Sequence, residues 1–280
     1  MNKPESRFLF QQSLVEEDAS QSSGNVSALE RGILVLRCFD ESVFALSNQE
    51  LSARTGIPKP TLTRLTATLL NLGLLRQDAA RDRYMLGPGV MPLARAFLAN
   101  LDYRAFARPL MQDFAEANEC SVYIGLNDGL SMVVVEASRA KASMISARID
   151  VGSRMPIPNS ALGRAFVSTC DRAERLAVIN KIKSDESAQW RQFGSGLMKA
   201  LKAAEQDGFC LSLGEWHQDI NSVSVGFRNA QGEILSVNCG GATYVFPEER
   251  LRQEIAPKLH RLATVIAQRI GGFEPAPLQR

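Results

Sequence analysis

The sequence predicts an α+β protein in two parts, a small N-terminal winged helix-turn-helix domain and a larger C-terminal domain built on an antiparallel sheet. Three observations predict it. Leu51, Ser52, Gly56, Ile57, Leu62 and Leu65 recur at the spacing of two helices crossing through a tight turn. Basic residues concentrate in that stretch and in the hairpin that follows it. Beyond residue 118, strand-like and helical runs interleave, with hairpin signals at Asn127-Asp128-Gly129 and Ala230-Gln231-Gly232.

Residues 1 to about 25 are polar, rich in Ser and Gln and without periodicity, the pattern of a disordered arm. A capping box is expected at Ser27-Ala28-Leu29-Glu30, with Ser27 as the cap and Glu30 reaching back. Leu29, Ile33, Leu34, Leu36 and Phe39 follow near helical spacing. Ser47-Asn48-Gln49-Glu50 is a second capping box, for a helix that stops at Gly56. Ser52 is the small residue wanted where two helices cross, and Gly56 can take the positive φ of the turn. Pro60 suits the start of a third helix, which carries Leu62, Leu65, Leu69 and Leu70 and ends at Asn71-Leu72-Gly73. Leu74-Leu75-Arg76 and Arg83-Tyr84-Met85-Leu86 flank a polar turn and predict a two-stranded wing.

Gly87-Pro88-Gly89 closes this first domain, residues 26–87. Two helical stretches broken near residues 101–103 predict a linker helix, 88–101, and the opening helix of a second domain, 102–272, with a tail at 273–280. In that domain strands are expected at 121–126, 132–136, 223–227 and 234–238, and helices at 161–169, 173–181, 195–207 and 248–270. No internal repeat is present.

A chain of 280 residues has room for two cores, and its 45% apolar and 22% charged content is ordinary for a globular protein. The net charge of +2 does not announce nucleic-acid binding, so a basic patch must be local. Between Arg54 and Arg83 there is one: Arg54, Lys59, Arg64, Arg76, Arg81 and Arg83 against Asp78 and Asp82, six minus two. Five scattered cysteines (Cys38, Cys120, Cys170, Cys210, Cys239) form no CxxC pair and predict reduced, mostly buried thiols. No apolar run approaches the ~18 residues of a membrane span, and the first residues lack a secretory pattern, so a cytoplasmic protein is expected.

Lys59, Thr61, Thr63 and Arg64 fall at the start of the third helix, the end that enters the major groove in such motifs. Arg64 suits a bidentate pair with guanine, and the threonines suit phosphate or a thymine methyl. Arg81 and Arg83 lie on the wing, placed for phosphate or minor-groove contact. The alternative left open is a helical hairpin whose arginines are solvated or serve packing.

Glu215-Trp216-His217-Gln218-Asp219 is the other chemically conspicuous stretch. If extended, Glu215, His217 and Asp219 share a face and suit a divalent metal, giving an alternative reading as a metal- or redox-responsive regulator. The competing reading is a polar loop in which Glu215 satisfies backbone groups. It is favoured because the chain has only two histidines, His217 and His260. No nucleophile elbow, phosphate-cradling glycine loop or acid/base pair is present, so no catalytic residue, cofactor or enzyme activity is expected.

The sequence resembles the IclR family of bacterial regulators. The matching residues are Ala28-Leu29-Glu30-Arg31-Gly32-Ile33, Val35-Leu36, Phe39, Thr55-Gly56-Ile57-Pro58-Lys59, Thr61, Arg64-Leu65, Leu69, Gly73 and Tyr84-Met85-Leu86-Gly87. In the second half they are Gly152, Pro156, Ser160-Ala161-Leu162-Gly163-Arg164-Ala165, Gly208-Phe209 and Glu215, so the resemblance spans roughly residues 27–270. It implies a GAF-like effector-binding domain behind the winged helix. It also implies a homodimer, often paired into a homotetramer, on a palindromic double-stranded operator of catabolic genes. The protein would then be a ligand-responsive repressor or activator, and the implied effectors are small organic acids or aromatic metabolites. Carried over by position, the pocket has Met144, Ala147, Met155, Ala161 and Leu162 as walls and Ser212, Ser222, Asn238 and Gly240 as polar contacts. Many members have Asp where this chain has Ser212.

Overall fold

The computed structural model describes residues 26–78, 80–141 and 149–278; the expected arm, 1–25, lies outside the described residues. The chain divides into two compact units, 1–100 and 101–280.

In the first unit, helix α1 (Ser27–Leu36) begins one residue earlier than the capping-box pattern predicts. Val26 is the N-cap, its carbonyl accepts from Leu29 and Glu30 N–H, and no side chain caps the helix. Ser27 is itself helical, whereas a capping hydroxyl needs a non-helical backbone, so the expected Ser27–Glu30 box does not form. Helix α2 (Asn48–Thr55) has its box complete: Ser47 Oγ accepts from Glu50 N–H, and Glu50 accepts from Ser47 N–H. Gly56 ends it at φ +68°. Helix α3 (Lys59–Asn71) carries Pro60 in its first turn, where the missing N–H has no partner to lose. Strands β1 (Leu75–Asp78) and β2 (Arg83–Leu86) form the antiparallel wing. Leu34, Val35, Cys38, Leu51, Ile57, Leu62, Leu69, Leu75 and Tyr84 make one core beneath them. Helix α4 (Val90–Ala99) follows and buries none of its residues.

The second unit opens with α5 (Tyr103–Asn118) and is organised by a six-stranded antiparallel sheet in the order β5-β4-β3-β8-β7-β6. The strands are β3 (Ser121–Asp128), β4 (Ser131–Arg139), β5 (Arg154–Pro156), β6 (Cys210–Leu213), β7 (Ile220–Arg228) and β8 (Ile234–Ala242). The short strands β5 and β6 lie outside the strand-like runs of the sequence. Alternation separates the two faces. Val122, Ile124, Val223, Val225, Val237 and Cys239 form an apolar face, which meets α5 and the C-terminal helix α10 (Ala256–Arg269). Glu136, paired with Ile124 in register, is gripped there by Arg104 and Arg108 of α5, each 3.1 Å away.

The opposite face carries Tyr123, Ser222, Ser224, Ser236 and Asn238, with glycines at 125, 226 and 240. Helix α6 (Ala161–Thr169) lies on it. Glycine is required beneath the helix, because a methyl on Gly226 would sit 2.7 Å from the Ala165 carbonyl oxygen and one on Gly125 2.5 Å from Leu162. Helices α7 (Arg172–Asp185) and α8 (Ser187–Asp207) form a hairpin beside α6, and α8 starts eight residues before the expected run. The expected helix at 248–270 is in three pieces: α9 (Glu248–Arg250), a π-turn at Leu251–Ile255 and α10. Pro257 at the start of α10 lacks the N–H of a regular helix, which the wider preceding turn accommodates.

Candidate nucleic-acid interface and ligand cavity

Helix α3 is fixed against α2 by contacts at both ends of the turn. Ser52 Oγ donates to the Ile57 carbonyl (2.8 Å), closing the turn, and Leu51, Ile57 and Leu62 fill the crossing. Asn48 Nδ2 donates to Thr63 Oγ1 (3.0 Å), which donates in turn to the Lys59 carbonyl (3.0 Å). Arg83 donates to the Ala45 carbonyl (2.9 Å) and pairs with Glu50 at 3.2 Å. Ser47 N–H and hydroxyl, and then Arg83, hold the Glu50 carboxyl below its ordinary range. The wing is thereby tied to the capping box of α2.

These ties sort the expected DNA contacts. Lys59 and Arg64 are exposed and Thr61 is half-buried, with Thr61 and Arg64 one turn apart on α3. Arg81 stands out at the wing tip, its side chain 80% exposed and 3.9 Å from Asp78. The Thr63 hydroxyl and the Arg83 guanidinium, in contrast, are engaged within the domain. Arg54 likewise donates to the Cys38 carbonyl (3.3 Å).

On the sheet face that carries α6, Tyr123, Ile149, Met155, Trp216, Ile220, Ser222, Asn238 and Gly240 line a small cavity that is partly open to solvent. Register explains the grouping: Tyr123 is opposite Asn238, and Ser222 is opposite Gly240. Four apolar side chains and three neutral polar ones make the mixed lining typical of a small-ligand site. The Tyr123 hydroxyl is buried, and burial raises its pKa, so it stays protonated and can donate.

Of the residues expected at the pocket, Met155, Ser222, Asn238 and Gly240 line this cavity. Ala161 and Leu162 do not; both are buried in the first turn of α6, with Leu162 against Gly125. Ser212 is turned to the Asn159 carbonyl, to which it donates at 2.7 Å. Met144 and Ala147 lie outside the described residues. Tyr123, Ile149, Trp216 and Ile220 are lining residues that pattern reading misses.

The Glu215–Asp219 stretch is a loop between β6 and β7, not the extended segment that would put Glu215, His217 and Asp219 on one face. Arg164 grips the Glu215 carboxylate through both arms of its guanidinium, Nη1 to Oε2 and Nη2 to Oε1. His217 Nδ1 accepts from Asp219 N–H (3.3 Å). Among the described residues no three His, Cys, Asp or Glu side chains are grouped to hold a metal ion. All five cysteines are buried, and burial pushes the thiols of Cys38 and Cys210 up to about 11 and of Cys170 to about 12. Protonated, enclosed thiols are poor redox sensors.

Both units match one family in order. Residues 28–79 match the IclR helix-turn-helix domain, and residues 95–268 match the domain described as bacterial transcriptional regulator IclR C-terminal. The chain belongs to the IclR family of transcriptional regulators. An IclR-family regulator from Brucella abortus of known structure is 38% identical, with a TM-score of 0.80 over 94% of this chain and 98% of that one. The regulator TsaQ1/TsaQ2 of Comamonas testosteroni is 28% identical over 265 residues, 93% of this chain and 95% of that protein. An IclR homolog from Microbacterium hydrocarbonoxydans, solved in complex with 4-hydroxybenzoate, shares the fold at 18% identity, with a TM-score of 0.64 over 87% and 99% of the two chains. As an IclR-family member the chain is a DNA-binding transcriptional regulator and not an enzyme. No helix among the described residues is long and apolar enough to cross a membrane.

Proposed function

We propose that this chain is a cytoplasmic, ligand-responsive regulator of catabolic genes that binds a palindromic operator as a homodimer or a pair of dimers. Residues 26–87 read a half-site, 88–101 form the linker helix, and 102–272 bind the effector. The observation that carries the reading is the braced helix α3, which presents the exposed side chains of Lys59 and Arg64 with Thr61 one turn from Arg64. Arg64 reads a base edge, Lys59 and Arg81 meet phosphates, and Thr63 and Arg83 keep the helix and wing in place, so their DNA role is indirect.

The cavity of the second unit is the effector site in this reading. Ile149, Met155, Trp216 and Ile220 suit an apolar or aromatic body, and Tyr123, Ser222 and Asn238 orient an oxygen substituent, as in a small organic acid or aromatic metabolite. The dimer is supported by apolar side chains left exposed in the first unit: Leu29 and Ile33 on α1, and Met91, Leu93 and Phe97 on α4.

The test is fluorescence anisotropy with operator DNA from the adjacent promoter over a range of salt. Arg64→Ala is expected to lose about 1–3 kcal/mol of specific binding and to relax preference at one base pair. Lys59→Ala weakens all sequences alike and lowers the salt slope by about one. Unchanged affinity in Arg64→Ala would refute this placement of the recognition helix.

A further inference from the structure

Trp216 forms one wall of the cavity, yet it belongs to a six-residue loop, 214–219, in which nothing in the strand ladder fixes a side chain. Its position is set by the residue before it. The Glu215 carboxylate receives both arms of Arg164, with Nη2 to Oε1 at 2.8 Å. The Glu215 carbonyl accepts from Asn159 Nδ2 (3.2 Å), so residue 215 is held through side chain and main chain at once. Arg164 is itself only 3% exposed, and its remaining donors reach the carbonyls of Pro158 (3.0 Å) and Leu211 (2.8 Å). A guanidinium fork matched to a carboxylate is directional, and any displacement of Glu215 strands a buried cation.

Two glycines complete the arrangement. Gly214 turns the chain at φ +67° immediately before Glu215. Gly196 of α8 lies over the ion pair, where a methyl would come within 3.0 Å of Glu215 Oε1 and 3.1 Å of Arg164 Nη2. Another lining residue hangs from the same place, because Ser160 Oγ donates to the Pro156 carbonyl (2.5 Å), next to Met155. Both the Met155 wall and the Trp216 wall are therefore fastened to the start of α6.

Resting on the reading of this cavity as an effector site, the geometry points to Arg164 and Glu215 as positioning residues that clamp Trp216 and so set the width of the cavity. The clamp acts through Trp216 and touches no ligand. It gives the Glu215 cluster a role that neither a metal nor a plain surface loop supplies.

The chain has two tryptophans, Trp190 and Trp216, so Trp190→Phe leaves Trp216 as the only indole reporter. In that full-length background, Glu215→Gln and, separately, Gly196→Ala are compared by emission maximum and acrylamide quenching, with circular dichroism to follow the fold. The expected result is a red shift and an about twofold rise in quenching of Trp216, as for a locally released segment, with the fold retained. Arg164→Lys, which keeps the charge without the fork, falls between. Unchanged Trp216 quenching in folded Glu215→Gln and Gly196→Ala overturns the clamp. So does an equal rise at Trp190, measured with Glu215→Gln and Gly196→Ala placed in a Trp216→Phe background that keeps Trp190, because that reports general loosening. If Glu215→Gln does not fold, Gly196→Ala, which keeps every charge, decides alone. No effector enters this measurement, so the clamp can fail while a ligand screen by thermal shift succeeds, and the reverse.

Discussion

Glu186 shows how much one side chain can impose. It sits between α7 and α8, 4% exposed, and among the described residues neither carboxylate oxygen has a hydrogen-bond partner. Burial, and then the neighbouring charge of Asp185, raise its pKa from 4.5 to about 7, with Arg154 opposing. A carboxyl with a raised pKa stays protonated in the folded chain after the unfolded chain has released its proton. Stability from this group is therefore greatest below about pH 4.5, falls as pH rises to about 7, and stays low above it. The full effect is about 3 kcal/mol. Glu186→Gln is expected to melt higher than the parent near about pH 8 and to flatten the decline between about pH 5 and 7; parallel pH profiles for the two proteins would refute this. The same contrast between residue type and environment governs the site residues. The exposed placement of Lys59 and Arg64 on α3 was legible because helix position and charge are local properties. That Thr63 and Arg83 are engaged was not, because their partners Asn48 and Glu50 lie on another helix. Tyr123 and Trp216 join Asn238 and Ser222 only through sheet register and a loop clamp, which one-dimensional spacing does not carry.

At the scale of elements, two capping boxes that look alike in sequence behave differently. Ser47 caps α2 and receives Glu50 N–H, while Ser27 lies inside α1 and caps nothing. Ser47→Ala is expected to lose about 1 kcal/mol in urea unfolding of the first unit, and Ser27→Ala only a few tenths. Equal losses would contradict the assignment. The Ser47 variant also loses the hydroxyl that helps hold the Glu50 carboxyl ionised. The support that Glu50 contributes is present above its unfolded pKa and disappears as pH falls through the lowered folded value, and the variant shows less of that acid sensitivity. Helix α3 was legible because burial of one face repeats along it, at Leu62, Thr66 and Leu69, whereas α6, β3 and β8, buried on all sides, were legible as continuous apolar runs. The three residues of β5 and four of β6 carry no period; they are strands because Met155 meets Met132 and Ser212 meets Ser222. The start of α8 was hidden by Gly194 and Gly196, poor helix formers by propensity. Packing requires both: a methyl on Gly194 would stand 2.7 Å from the Trp190 ring, and Gly196 leaves room for the Arg164–Glu215 pair.

For the whole molecule, the decisive feature is the apolar helix α4, which leaves large hydrophobic side chains exposed. In α4, Met91 and Leu93 are about two-thirds exposed, Phe97 is half exposed, and no residue of the helix is buried. A ten-residue helix is marginal in water unless one face is covered. Leu29 and Ile33 of α1 add a second exposed apolar stripe to the same unit. Exposed apolar surface of this kind marks an interface, and the second copy of the chain in the proposed dimer would cover it. Phe97→Glu would place a charge in that interface without touching the core of either unit. Sedimentation at micromolar concentration is expected to show a shift from dimer to monomer. Circular dichroism should change only by the loss of about one short helix, consistent with α4 depending on its partner. Operator affinity should fall by far more than for Lys59→Ala, because two linked half-site contacts become two independent ones. The salt slope should roughly halve, since each monomer brings only its own phosphate contacts. A Phe97→Glu protein that remains dimeric with parental operator affinity would exclude α4 from the interface and leave the stripe on α1 as the surface to test.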